Sequence, residues 1–177
     1  YTSIQEEHNA TRNSAGIFDV SHMGNIIIDF PDIDVAIEKL NYLLPNDFTK
    51  TRKNKIIYST MLKQDGTVID DILVMQISDS LFHIIANFTN IEKDYKWINE
   101  NIGSKDIKII NKSDSFAIIS LQGPKAFDIL KNEFNFPIEN LKTFELIEFP
   151  YKEGTLIISR TGYTGEDGFE IFIDNSF

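Results

Sequence analysis

"KIIYSTMLKQDGTVIDDILVMQIS", residues 55–78, decides how this chain folds. Two runs rich in β-branched and aromatic residues flank Gln64-Asp65-Gly66, and an Asp-Gly pair favours the positive φ of a tight turn. The stretch therefore predicts two antiparallel strands joined by a hairpin. "LFHIIANF", residues 81–88, has the same character and supplies a third strand, so a meander is expected.

Outward from that meander, upstream "NIIIDF" (25–30) lies between Gly24 and Pro31 and reads as a strand. "DIDVAIEKLNYLLP" (32–45) then spaces Val35, Ile37, Leu40 and Leu44 for a helix, with Asp32 or Asp34 as its cap and Pro45 as its stop. Downstream, "NIEKDYKWINENI" (90–102) puts Ile91, Tyr95, Ile98 and Ile102 on one helical face. "DIKIINKS" (106–113) and "FAIISLQG" (116–123) are strand-like, and "GPKAFDILKNEF" opens a helix with Pro124 in its first turn. Two further β runs, 146–149 and 155–159, precede "SRTGYTGEDGFEIFI" (159–173). Helices follow groups of two or three strands, which favours an α+β fold with antiparallel sheets over a doubly wound parallel one. There is no repeat and no Pro/Gly/Ser-rich linker, so a second domain would have to be interleaved with the first.

Composition narrows the chemistry. With 177 residues, 42% of them apolar, the chain can bury a core as one large or two small domains. A net charge of -10 argues against a nucleic-acid footprint, which needs a cationic face. The absence of cysteine removes disulfides, thiolate metal sites and a thiol nucleophile from these residues. Apolar runs fall far short of the ~20 residues of a membrane span, and "YTSIQEEHNATRNS" (1–14) has no signal-peptide core, so a soluble protein is expected. The chain starts at Tyr1 and stops at Phe177 just after a strand-like run, from which a longer parent protein is expected.

The adjacent carboxylates Asp70 and Asp71 sit where a strand prefers apolar residues. Strict alternation groups Asp71 with Ile69, Leu73 and Met75, and Asp70 with Val68, Ile72 and Val74. Both neighbourhoods are apolar, so at least one carboxylate is expected to be partly desolvated, which raises its pKa unless it is paired or hydrogen-bonded. A solvated edge-strand pair, or a carboxylate capping N–H groups at a bulge, fits the residues equally well. Chelation fits less well, because successive strand residues point to opposite faces. His8, His22 and His83 lack metal spacing, and each reads as a hydrogen-bonded turn histidine. His22 beside Ser21 and Asp19 does not make a triad, since triads are defined by geometry.

The glycines of "SRTGYTGEDGFEIFI" at 162, 165 and 168 match neither a dinucleotide fingerprint nor a Walker loop. Its bunched acids would repel phosphate and are badly spaced for calcium. What remains is a glycine-supported turn into a strand, with Phe169, Ile171 and Ile173 on one face and Glu170 and Phe172 on the other. Glu170 is then a carboxylate on a rigid element, able to receive a ring with adjacent N–H donors, while Glu166 and Asp167 stay in the turn.

"GIFDVSHMG" (16–24), "QDGTVIDDILV" (64–74), "SLQGP" (120–124) and "SRTGYTGEDGFE" (159–170) occur in an order and at separations that resemble the aminomethyltransferase family, the T-protein of the glycine cleavage system. The resemblance covers nearly the whole chain. It implies the N-terminal part of the folate-binding aminomethyltransferase fold, truncated before a C-terminal β-barrel-like domain, with two interleaved subdomains and a β-meander plus helix at about 50–110. It implies transfer of the methylene group from aminomethyl-lipoyl H-protein to tetrahydrofolate, with release of ammonia. Lipoylated H-protein would be the partner, other glycine cleavage components would join transiently, and neither nucleic acid nor membrane is expected. The compartment would be bacterial or archaeal cytoplasm, or the mitochondrial matrix.

Residue by residue, the resemblance carries the family's essential aspartate to Asp71 and its pterin-reading glutamate to Glu170, with Tyr163 in the same turn. Tyr58 and Asn87 match further folate contacts on neighbouring strands, and Leu73 and Ile85 line the pocket. No metal site is implied. A pocket on the meander, closed by the turn at 162–168, is the expected site. Family members are about twice this length and supply a further arginine and a β-rich domain downstream, so residues 1–177 alone are expected to transfer weakly or not at all. Two rivals share the fold: a non-catalytic folate binder of the iron-sulfur maintenance type, and the folate domain of a dimethylglycine or sarcosine dehydrogenase. The densest cationic run, "KTRKNK" (50–55), reads as a solvated loop rather than a docking patch.

Overall fold

In the computed structural model, which describes residues 2–175, ten strands form two five-stranded antiparallel sheets with helices beside them. Tyr1 and Phe177, the ends from which a longer parent was expected, lie outside the described residues, as does Ser176. The chain divides into two units: an inserted one, His22–Asp114, and one built from the segments on either side of it.

The flanking unit starts with α1 (Ile4–Asn13) and β1 (Gly16–Asp19). Neither element is visible in the sequence pattern. Only Thr11 of α1 is buried, so the helix has no apolar stripe to read, and it is held at its start by Ser3 accepting from the Glu6 N–H. Three residues of β1 are exposed, which removes the alternation that marks a half-buried strand.

The inserted unit runs β2 (Gly24–Asp29), α2 (Ile33–Leu43), β3 (Ile56–Leu62), β4 (Val68–Gln76), β5 (Leu81–Ala86), α3 (Ile91–Ile102) and β6 (Lys108–Asn111). Its sheet order is β3-β4-β5-β2-β6, so the expected meander forms and β2 joins beyond it. Gly66 adopts φ +83° and donates to the Lys63 carbonyl at 2.9 Å, closing the hairpin where the Asp-Gly pair predicted. Asp32 caps α2 by accepting from Val35 N–H at 2.9 Å. One sheet face carries Ile26, Ile28, Met61, Ile72, Val74, Phe82 and Ile84 into a core that Leu40 of α2 and Ile98 and Ile102 of α3 complete.

The flanking unit resumes with β7 (Phe116–Gln122), α4 (Ala126–Phe134), β8 (Leu146–Tyr151), β9 (Gly154–Ser159) and β10 (Gly168–Asp174), in sheet order β1-β7-β10-β9-β8. Leu121, Ile158 and Phe169 pack with Ala126 and Leu130 of α4 on one face of this sheet. Ile171 and Ile173 join that face and Phe172 is buried on the other, as the alternation of β10 predicts.

Strict alternation fails at one place in β4, and the failure corrects a reading made from the sequence. Met61 pairs with Asp70 while Leu62 pairs with Val68, so Ile69 is an extra, bulged residue. Ile69 joins the same core as Ile72 and Val74 instead of sharing a face with Asp71. The histidines are corrected as well. His8 is exposed on α1 and His83 is buried in β5, and only His22 lies in a turn.

Candidate functional site

The two carboxylates of β4 have opposite environments. Asp71 follows the outward face, beyond Leu73, and is exposed. The Tyr58 hydroxyl donates to its Oδ2 at 3.0 Å, and Asn87 Nδ2 donates to its Oδ1 at 3.2 Å and to its main-chain carbonyl at 3.1 Å. Tyr58 faces Leu73 and Thr60 faces Asp71 in the register, so Tyr58 and Asp71 meet on the diagonal of one sheet face. On that face Tyr58, Leu73, Ile85 and Asn25 are successive register neighbours across β3, β4, β5 and β2. Leu73 is half-buried and Ile85 buried, giving an apolar floor behind an exposed carboxylate. Asn87 stands one residue past β5, at a short 3-10 turn, rather than on the strand itself.

Asp70 points inward and is only 4% exposed. Its Oδ1 accepts from Asn87 Nδ2 at 2.9 Å and Asn90 Nδ2 at 2.6 Å, and its Oδ2 accepts from the Asn87 main-chain N–H at 3.1 Å. Burial pulls its pKa up, but donation from Asn87, Asp94 and Asn90 outweighs that pull and holds it below the usual carboxylate value. The desolvated member of the pair is thus ionised, because it is hydrogen-bonded. Asn87 spans both carboxylates with one amide group.

The flanking unit holds the second set. Glu170, on β10, has Ser120 and Ser159 as its register neighbours. Thr161 donates to Glu170 Oε2, and the Thr161 and Ser159 hydroxyls lie 2.6 Å apart. Burial raises the Glu170 pKa, and the Thr161 hydrogen bond opposes the rise only in part. One carboxylate oxygen is committed to Thr161, which leaves the other to accept donors from a ligand. Tyr163, five residues before β10 in the glycine turn, is fully exposed.

Gln122 shapes that turn, and sequence reasoning missed it although it lies inside "SLQGP". Its side chain is buried and donates from Nε2 to Ser120 Oγ and to the Thr161 carbonyl, both at 3.0 Å, and to the Phe169 carbonyl at 3.4 Å. Thr164 Oγ1 donates to its Oε1 at 3.2 Å. A Cβ at Gly162 or Gly168 would collide with this carboxamide, so these two glycines are present because Gln122 occupies the space under the loop. The other acids of the turn are neutralised locally. Glu166 pairs with Arg12 at 2.8 Å, and Arg160 grips Asp167 through Nε at 2.9 Å and Nη2 at 2.6 Å.

A second missed residue is Asp94, a fully buried acid on α3. Its signal was present: it lies four residues before Ile98, on the buried helix face, where an acid is anomalous. The remaining candidates have structural roles. Ser21 Oγ donates to Asp19 at 2.6 Å and accepts the Ile118 N–H at 3.0 Å, which fixes a turn. His22 packs edge-on to Phe88, with ring centroids 5.9 Å apart. Burial lowers the pKa of His83 to about 4. In the 50–55 run, Lys50 pairs with Asp47 at 2.9 Å and Arg52 and Lys53 are exposed.

Against known proteins, the model of the GCVT N-terminal domain matches residues 1–177. An aminomethyltransferase of Halothermothrix orenii is 39% identical over 173 residues, which are 98% of this chain and 47% of that protein. An aminomethyltransferase of Caldanaerobacter subterraneus is 44% identical over 176 residues, 99% of this chain and 46% of that protein. The chain therefore spans about half the length of the curated relatives it matches. The crystal structure of glycine cleavage system aminomethyltransferase T from Bartonella henselae superposes with a TM-score of 0.85 at 31% identity, over 96% of this chain and 44% of that one. A heterotetrameric sarcosine oxidase chain from a Corynebacterium species matches at TM-score 0.65 and 12% identity, over 98% and 84% of the two chains, and this shows a shared fold alone.

Proposed function

Because the chain belongs to the GCVT N-terminal domain family, we propose that it forms the folate-handling part of a glycine cleavage aminomethyltransferase. The reaction moves the methylene group of aminomethyl-lipoyl H-protein to tetrahydrofolate and releases ammonia. Its partner is lipoylated H-protein, with transient association of the other cleavage components, in bacterial or archaeal cytoplasm or the mitochondrial matrix.

The observation that carries this reading is the exposed Asp71, held from two sides by Tyr58 and Asn87 above the Leu73 and Ile85 floor. Its carboxyl oxygens accept hydrogen bonds, so they can receive the N–H groups of an approaching amine and turn the nitrogen lone pair toward its target. Tyr58 and Asn87 fix the carboxylate rotamer, which lowers the reorganisation needed for that orientation. Bound tetrahydrofolate supplies the nucleophilic nitrogens. In the flanking unit, Glu170 keeps an oxygen for adjacent ring N–H donors, and Tyr163 offers an aromatic face from the turn. Each set fits the group it is proposed to hold: acceptors for donor-rich nitrogens, with apolar or aromatic surface beside them.

The transferase reading is favoured over the folate-binder and dehydrogenase-domain alternatives by the preassembled Asp71 site. The test is Asp71→Asn in the full-length protein, assayed for methylenetetrahydrofolate formation and, separately, for folate binding. Loss of most turnover, on the order of 10²-fold or more, with binding retained is expected. An unchanged rate refutes the assignment.

A further inference from the structure

We propose that Asp94 is a positioning residue for the Asp71 site: a neutral carboxylic acid whose O–H is shared with the Asp70 carboxylate, anchoring the Asn87 amide that orients Asp71. The activity arm of this inference rests on the transferase reading above; the proton assignment does not.

Asp94 is wholly buried, and neither of its oxygens meets a nitrogen or hydroxyl donor. A buried carboxylate without donors is a costly arrangement that proteins avoid by protonation. Its contact is Asp70, and two carboxyl groups in contact inside a protein cannot both carry charge. The surrounding donors decide which one does. Asn87 Nδ2, Asn90 Nδ2 and the Asn87 N–H all point at Asp70, so the anion is Asp70 and the proton belongs to Asp94. The charged groups facing Asp94 are Asp70 from β4 and Lys93 from its own helix. Lys93 Nζ donates to the Ile69 carbonyl at 2.8 Å and to Asn90 Oδ1 at 2.9 Å, which supports the amide on the far side of Asp70. Burial, reinforced by the hydrogen bond and charge of Asp70 and opposed by Lys93, pushes the Asp94 pKa up to about 8.

Asn87 carries the consequence to the open face. The same Nδ2 group that binds Asp70 also reaches the Asp71 carboxylate and carbonyl. While Asp94 keeps its proton, Asp70 is clamped between an acid and two amides, and Asn87 has a fixed anchor. When Asp94 ionises, two adjacent anions repel, Asp70 shifts, and Asp71 loses its alignment. Asp94 therefore acts through Asp70 and Asn87, with no contact to substrate.

The experiment uses the full-length protein with Asp94→Asn, which keeps a neutral donor, and Asp94→Leu, which keeps volume alone. Infrared difference spectra are expected to show the C=O stretch of an un-ionised carboxylic acid at pH 7 in the native protein, absent in D94N. The pH profile of kcat/KM is expected to fall above about pH 8 in the native protein and to lose that limb in D94N, which transfers within a few-fold of native at pH 7. D94L is expected to lose roughly 10–100-fold, mostly in kcat. Absence of the carboxylic acid band, persistence of the alkaline limb in D94N, or D94N as impaired as D94L would overturn the proposal. A native protein with the band but no transfer supports the proton assignment and counts against the transferase reading alone.

Discussion

The two sheets use the same plan with opposite electrostatics. Each is covered on one face, by α2 and α3 in the inserted unit and by α4 in the flanking unit, and carries its candidate carboxylate on the other. In the inserted unit the candidate carboxylate, Asp71, is exposed and is steadied by a buried network beneath it, from Asn87 through Asp70 to Asp94. In the flanking unit the carboxylate itself, Glu170, is the desolvated group, and it is held by one hydroxyl. The comparison shows two ways to preorganise an acceptor: bury its support and leave it wet, or bury the acceptor and leave one oxygen open.

The largest structural effect that separates these designs is expected at Gln122. Gln122→Leu preserves size but strips partners from the buried Thr161 and Phe169 carbonyls, which should cost about 3–5 kcal/mol by denaturant unfolding. Tyr58→Phe, which removes one exposed hydrogen bond from Asp71, should leave stability nearly unchanged. If Gln122→Leu is equally mild, the loop is not held from below.

Gly168→Ala tests the same support from the opposite side. The new methyl group meets the Gln122 carboxamide and should destabilise by about 2 kcal/mol. Adding Gln122→Ala should recover part of that loss, so the two effects should be non-additive in a double-mutant cycle. Strict additivity would show that the clash is relieved elsewhere.

In the inserted unit, Asp94 should make stability depend on pH. Asp94 ionises near 3.8 when unfolded and near 8 when folded, so between those values the native state holds the extra proton. Its contribution is complete below about pH 4 and declines as pH rises to about 8, with a limiting slope of about 1.4 kcal/mol per pH unit. Calorimetric melting of the native protein and of D94N across that window should show the decline in the first and a flatter profile in the second. For Glu170 the same logic acts on ligand binding. On the proposed reading, folate N–H donors would favour its anion, so affinity should weaken as pH falls through its raised pKa, and Glu170→Gln should remove that dependence.

The smallest effect is expected at the turn's surface. Arg12→Ala breaks one partly exposed ion pair and should cost no more than about 1 kcal/mol. Arg160→Ala should cost more. It removes a two-point grip on Asp167, a 2.7 Å bond to the Leu141 carbonyl and stacking over Phe127 and Phe169.

By itself, the sequence determined the α+β class, the Asp65-Gly66 hairpin, the capped α2 and the alternation of β10, because these depend on near neighbours in the chain. It also identified the family, since four motifs at set separations constrain much more than any one. Tyr58, Asp71 and Asn87 were legible as a group because the hairpin turn fixes the register that brings the first two together. Tertiary structure alone decided which aspartate is buried, since the helices cover the face that Asp70 shares with Ile72 and Val74, and the bulge brings Ile69 to that same core. It also decided that Gln122 underpins the glycine turn, that Arg12 and Arg160 claim Glu166 and Asp167, and that Asp94 meets Asp70. These pairings join residues from 7 to 154 positions apart, with Arg160 and Asp167 the nearest and Arg12 and Glu166 the farthest. Even the nearest passes through a loop whose path Gln122 sets from another strand, so local propensity and periodicity carry no trace of them.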